Sequence, residues 1–197
     1  MISLNFNQND MDTLDTEIFN LQRKVDQYKD VLKNTVVYRE EWKTSLREKI
    51  SSILQHLITA TKLDAEIVTR SEIENLGAVV LSLGTTKSGM FQKVNEEVRR
   101  DLIKHNGSLV YQQLFNGKVI VLVNYPFIEN YGQPRPPKTI AIYRPEELKE
   151  PYFVRHMEDL IQEITNWEDY DDDEPNKKIG FQLNFNPDGI EATGQAR

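Results

Sequence analysis

Seven apolar residues near the start of the chain follow one another at steps of three and four. They are Met11, Leu14, Ile18, Leu21, Val25, Tyr28 and Leu32. This spacing places one narrow apolar seam along a helix, which is typical of helices that pair in coiled coils. The first glycine is Gly77 and the first proline is Pro126, so neither strong helix breaker interrupts the pattern. The sequence therefore predicts a long N-terminal helix that assembles with another helix.

A broader apolar stripe follows the seam. Its members are Trp42, Leu46, Ile50, Ile53, Leu54, Leu57 and Ile58. A period of 3.6 residues is typical of a helix that lies on a globular core. The weak helix formers of residues 34–38 separate the two patterns, and the helix either continues through them or folds back there as a helical hairpin. We interpret residues 10–38 as an interaction helix and residues 39–62 as the first helix of the domain.

Periodicity changes beyond residue 64. Asn116 and Gly117 separate two apolar runs, which predicts a two-residue turn in an antiparallel β-hairpin. The last helix is expected to bury Phe153, Met157, Leu160, Ile161 and Ile164. The further predicted strands are residues 2–6, 65–70, 77–84, 138–143 and 179–185, and the further predicted helices are residues 91–104 and 146–167.

These elements predict an α+β fold. A long N-terminal heptad helix would be followed by an antiparallel sheet of about five to six strands flanked by helices. We divide the chain into residues 1–38 (a short strand and the interaction helix), residues 39–168 (the α+β domain) and residues 169–197 (an acidic linker, a terminal strand and a loose tail). The element order resembles the layout of the GAF/PAS-like and profilin-like sensor folds, which are often joined to coiled coils. That resemblance implies a ligand cavity inside the sheet.

Charge disfavours nucleic-acid binding, and composition excludes chemistry that depends on cysteine. The net charge is −7, and residues 146–197 alone carry five basic and fourteen acidic side chains. Nucleic-acid binding needs a clustered basic face, and the only candidate is Arg99, Arg100 and Lys104 on the helix predicted at residues 91–104. The chain has no cysteine, which excludes disulfides and thiolate sites. We see no signal peptide or membrane-spanning run, so we expect a cytoplasmic protein or part of an intracellularly assembled particle.

Motifs for catalysis, metals and cofactors are weak. Residues 84–89 are expected between a strand and a helix, as in a phosphate loop, but Thr86 stands where the glycine before the lysine is needed. His56, His105 and His156 are about fifty residues apart, and His105 is expected at a helix C-terminus. The acidic cluster at residues 168–174 lacks the spacing of a calcium loop. We assign no catalytic residue, metal or cofactor.

A proline-containing loop at residues 126–137 is the best candidate for a contact surface outside the helix. Phe127 and Tyr131 are two aromatic side chains that we expect to be exposed there. The stretch 134–137 meets the minimal form for polyproline recognition, but we expect its prolines to stiffen the loop and protect a sheet edge.

The charges beside the heptad seam disfavour a simple parallel homodimer. In that arrangement Asp10 would face Asp15 of the partner, and Lys24 would face Lys29. Three or more chains, a different protein, or the chain's own second helix would fit better. We predict a non-enzymatic assembly or adaptor protein that acts as a homo-oligomer or binds a protein partner through residues 10–38. A GAF/PAS-like ligand-sensing domain coupled to a signalling helix is the alternative.

Overall fold

The structure is a computed structural model and describes residues 8–93, 95 and 99–169. Helix α1, Gln8–Glu41, runs into a π-helical turn, Trp42–Leu46, and then into helix α2, Arg47–Thr61. Residues 34–38 do not break the helix, and the Thr35 hydroxyl there donates to the Val31 carbonyl at 3.0 Å. The helix is therefore continuous and does not fold back as a hairpin.

Eight strands form two antiparallel sheets. The strands are β1 (Glu66–Arg70), β2 (Ala78–Ser82), β3 (Thr85–Lys93), β4 (Arg99–His105), β5 (Ser108–Gln113), β6 (Val119–Asn124), β7 (Phe127–Ile128) and β8 (Lys138–Tyr143). The larger sheet has the order β1-β2-β5-β6-β8, and the smaller one has the order β3-β4-β7. With helix α3, Glu150–Glu168, these elements make the predicted α+β fold.

The core lies on one face of the five-stranded sheet, where α2 and α3 both pack. Because strand side chains alternate, the register Val79–Tyr111–Val121 places these three residues on that face, and all three are fully buried. The helices contribute Trp42, Leu46, Ile50, Leu54, Phe153, Met157 and Leu160. The predicted amphipathic patterns of α2 and α3 are therefore patterns of core packing.

The opposite face of the sheet carries a smaller apolar cluster. Ala78, Val80 and Val110 are buried there, and Leu122 packs against them half-buried. We call this face the outer face. The helices contribute their buried side chains to the core on the other face.

The helix predicted at residues 91–104 is wrong. The segment belongs to β3 and β4, which pair from Thr85 with His105 to Lys93 with Arg99. Leu102 is the buried apolar side chain of β4, whereas Phe91 is exposed and lies under the Arg99 guanidinium at 4.6 Å. This segment forms paired strands beside the core and presents no continuous apolar stripe to the core. Cross-strand pairing therefore decides its structure, and the helical spacing does not.

The loop between β5 and β6 also differs from the prediction. Gly117 N–H donates to the Leu114 carbonyl, and Leu114 N–H donates to the Lys118 carbonyl. The hairpin loop is therefore three residues long, with Gly117 at φ +78, and not the predicted two-residue turn.

Helix α3 begins at Glu150 and not at residue 146. A 3-10 turn at Pro145–Glu147 precedes it. Pro151 sits in the first turn of α3, where its missing N–H costs nothing, and a helix begun earlier would place it in the interior. Ile161 is exposed, so it does not belong to the buried side as predicted. Outside the described residues lie the strands predicted at residues 2–6 and 179–185 and the acidic linker beyond Asp169.

Candidate interaction surface

The heptad residues line an exposed part of α1. Every residue from Leu14 to Asn34 is exposed. Six of the seven seam side chains are described, with exposed fractions between 36% and 62%. They are Leu14, Ile18, Leu21, Val25, Tyr28 and Leu32, whereas the side chain of Met11 lies outside the described part. The residues of the seam therefore lie along one stretch of solvent-facing helix.

Further apolar side chains accompany the seam. Phe19, Val31, Val36 and Val37 are exposed on α1, although we did not include them in the seam. Val36 lies four residues beyond Leu32, beside the seam and nearer to the domain. The apolar surface of α1 is therefore wider and longer than the seven predicted positions.

Helix α1 meets the domain at the β5–β6 hairpin loop. The carbonyl of Phe115 accepts hydrogen bonds from Nε of Arg39, at 2.9 Å, and from its Nη2. Tyr38 donates from its hydroxyl to Glu146 at 3.4 Å, beside the 3-10 turn. The Phe115 ring is 71% exposed at this junction. Sequence reasoning missed Phe115, because its exposure depends on the loop conformation and not on periodicity.

The two aromatic residues of the 126–137 loop are less exposed than predicted. Phe127 is half-buried and stacks on the His105 ring, with 4.4 Å between ring centroids and 7° between planes. Tyr131 is half-buried and pairs with Ile128 in an isolated β-bridge. His105 ends β4, not a helix, and its Nε2 lies 3.1 Å from a Glu129 oxygen. The stacking on His105 and the bridge to Ile128 explain why the loop does not present both rings to solvent.

A groove of about 500 Å³ lies between the outer face and the 126–137 loop. The sheet supplies Val68, Val80 and Ser108, while Arg135 stands on the loop side. The Arg135 guanidinium lies 4.1 Å above the Tyr125 ring, which holds the loop against the end of β6. The groove combines an apolar floor with polar and charged sides.

A buried aromatic cluster surrounds His156 in the core. His156 is 2% exposed, with Nδ1 at 2.9 Å from the Tyr111 hydroxyl and Nε2 at 3.1 Å from the Tyr143 hydroxyl. Burial lowers the pKa of His156 to about 4, against a smaller opposing effect of Asp159. Burial also raises the pKa of the Tyr111 hydroxyl. The neutral ring has one donor and one acceptor nitrogen, so one tyrosine donates to it and the other accepts from it.

Other predicted chemistry is dispersed in the structure. Residues 85–89 belong to strand β3 and do not precede a helix, and Lys87 pairs with Asp101 at 2.6 Å. The expected basic cluster lies on strand β4 and not on a helix, and its only lysine, Lys104, forms an ion pair with Glu168 at 2.7 Å. In residues 8–93, 95 and 99–169, no three metal-ligating side chains converge. Among the described helices, none is long and apolar enough to cross a membrane.

No known protein family, curated protein or solved structure matches this chain.

Proposed function

We propose that this protein is a non-enzymatic assembly or adaptor protein. Helix α1 would bind further copies of the chain or another protein, and the α+β domain would be the module that it displays. In this proposal the protein is a component of a multi-protein or virus-like assembly inside the cell. The observation that carries the proposal is the uninterrupted exposure of Leu14 to Asn34, which bear the heptad seam.

Energetics support an association through α1. Burial of one large apolar side chain contributes about 1.5–3 kcal/mol, and six described seam residues are available for it. A solvated helix gains little from backbone hydrogen bonds alone, since most helical stability in proteins comes from packing of an apolar face. A partner helix would therefore stabilise α1 while it binds.

The settings of the histidines favour a structural role over catalysis. His156 is enclosed between two tyrosines in the core and lies away from solvent. His105 contacts Glu129 and is stacked on Phe127. Both arrangements stabilise packing, because each histidine ring is held by neighbouring side chains of the fold.

Light scattering coupled to size exclusion tests the proposal on the full chain. We expect the full chain to associate and Leu21→Asp to be monomeric, because a charge in the seam cannot be buried without a partner. Asn20→Asp adds the same charge at an exposed position on the side of α1 away from the seam, and this variant should still associate. A chain that begins at Arg39 should be monomeric and folded.

Two outcomes would change the proposal. Undiminished association of Leu21→Asp would exclude the seam as the assembly surface. A monomeric full chain would exclude self-assembly and leave α1 to a different protein, which a pull-down against cell extract would then seek.

The groove supports a second candidate, a ligand-sensing domain coupled to α1. The groove lies on the outer face, outside the core, and not in the sheet interior that the GAF/PAS-like layout implies. Thermal unfolding in the presence of nucleotides and small carboxylates tests this function. A ligand at a hundred times its dissociation constant should add about 2.7 kcal/mol of stability. Arg135→Ala should abolish that gain if the ligand occupies the groove, and no gain across the panel would argue against sensing.

A further inference from the structure

The charges beside the seam of α1 change sign along the helix. Asp15 and Glu17 flank the seam in its first half, and Lys24 and Lys29 flank it in the second half. All four side chains are exposed. In the heptad frame, Glu17 and Lys24 lie on one flank of the seam, whereas Asp15 and Lys29 lie on the other. Such flanking charges decide the orientation in which two helices pair.

A parallel pair brings opposite flanks together. Each residue on the Glu17 flank then meets the residue five positions later on the other flank of the second copy. Lys24 would meet Lys29, which is repulsive, and Glu17 would meet Gln22, which is neutral. The parallel arrangement therefore gains no attractive pair from these residues.

Reversal of one helix brings identical flanks together. In a register that places Ile18 level with Leu21 of the second copy, Leu14 is level with Val25 and the seam packs in alternating layers. Glu17 then faces Lys24 of the second copy, and twofold symmetry makes this attractive contact twice. On the other flank, Asp15 faces Gln22, so these residues form no like-charge pair.

Charge favours this register over the next one along the seam. A shift by one heptad would place Lys24 opposite Lys24 of the second copy, which is repulsive. The charges therefore favour the first register.

We infer that α1 pairs antiparallel with a second copy of the chain, with Ile18 level with Leu21 and with reciprocal Glu17–Lys24 contacts. This inference rests on the proposed function, since it names the partner of the same surface. It gives a twofold-symmetric dimer whose two domains lie at opposite ends of a paired rod.

Charge variants of the full chain distinguish the two orientations. Glu17→Lys or Lys24→Glu should each weaken an antiparallel dimer about tenfold, and the double variant should restore the affinity. In a parallel dimer, Lys24→Glu would instead create an attractive pair with Lys29 and strengthen binding. Arg23→Glu is the matched control, because it makes the same charge change on the side of α1 away from the seam. Its dissociation constant should stay near that of the unmodified chain.

Disulfide trapping gives an independent reading, because the chain has no natural cysteine. A mixture of Leu14→Cys and Val25→Cys chains should form the mixed disulfide in an antiparallel pair. Each variant alone should remain uncrosslinked there, since like positions are about 16 Å apart along the axis. In a parallel pair each variant would crosslink with itself, and the mixed product would be absent.

The outcomes separate this inference from the proposed function. Association together with self-crosslinking, or with tighter binding by Lys24→Glu, would overturn the antiparallel arrangement and leave assembly through α1 intact. A full chain that stays monomeric would overturn both the pairing of copies and the self-assembly on which it rests.

Discussion

Gly117 lies against Tyr38 so closely that a Cβ on the glycine would be 2.6 Å from the Tyr38 Cβ. The same atom would be 2.9 Å from the backbone nitrogen of Arg39. The hairpin loop thus touches α1 where the helix leaves the domain. Gly117 also has φ +78, a conformation that side chains disfavour.

Gly117→Ala is expected to destabilise the protein more than its backbone conformation alone requires. Gly84→Ala is the matched control, because Gly84 has φ +70 and a Cβ there would meet nothing within 4 Å. We expect the control to lower the free energy of unfolding by about 1–2 kcal/mol, and Gly117→Ala by at least about 1 kcal/mol more. Urea denaturation of both variants measures the difference. Equal losses would mean that α1 shifts away from the loop without cost.

Arg39→Ala is expected to weaken the same junction. Arg39 donates from two nitrogens to the Phe115 carbonyl, and a hydrogen bond from a charged group contributes more than a neutral one. We expect the free energy of unfolding to fall by about 1–2 kcal/mol in urea denaturation. Arg23→Ala removes an exposed arginine from the free part of α1 and should leave stability unchanged in the monomer. A similar loss in the two variants would contradict a specific role of Arg39.

Stability should fall as the pH is lowered from about 6.5 to 4. In this range the unfolded chain protonates His156 while the folded chain does not, because burial lowers its folded pKa to about 4. The contribution is complete above the unfolded pKa and is lost as the pH falls. The full loss from this group is about 3 kcal/mol.

Urea denaturation between pH 7.5 and 4 checks the His156 prediction. His156→Asn should be less stable at pH 7.5 and should lose less stability on acidification. His56→Asn alters an exposed histidine of α2 and should retain the slope of the unmodified chain. Identical slopes in all three proteins would contradict a buried neutral His156.

Gln113→Met is expected to stabilise the protein. Gln113 is 1% exposed, and its Nε2 has no hydrogen-bond partner among the described residues. Removal of an unsatisfied buried donor, with replacement by an apolar side chain of similar length, should add about 1 kcal/mol. Gln112→Met alters the neighbouring side chain on the outer face and should change stability little. Thermal unfolding compares them, and a loss in Gln113→Met would indicate that the amide has a partner.

Sequence patterns predicted the elements whose periodicity comes from a single buried face. The heptad and stripe patterns placed the long helix, and β8 has the predicted bounds, Lys138–Tyr143. They failed at residues 91–104, where spacing alone does not distinguish an amphipathic helix from strands in a hairpin beside the core. The early start of α3 was an error of detail, since Pro151 already marks the first turn.

Contacts between distant segments could not be predicted from the sequence. The stacking of Phe127 on His105 and the enclosure of His156 by Tyr111 and Tyr143 join residues far apart in the chain. The candidate surface on α1 did not depend on such contacts, because a heptad stripe is too narrow to cover a broad sheet. The candidate surface on α1 was therefore readable from spacing, whereas the groove and the hairpin-loop junction needed the fold.

The continuity of α1 with α2 has a mechanical consequence. Leu14 lies on the exposed part of α1 and Leu54 lies in the core, about 60 Å away as measured along the helix. A force on the exposed part of α1 is therefore transmitted to α2. Ile50 and Leu54, which are buried in the core, transmit it to the sheet. The π-helical turn at Trp42–Leu46 is the part of this continuous helix with the least regular hydrogen bonding. Bending of the helix is therefore expected to concentrate beside Trp42. Because the Trp42 indole is buried, such bending would change its fluorescence.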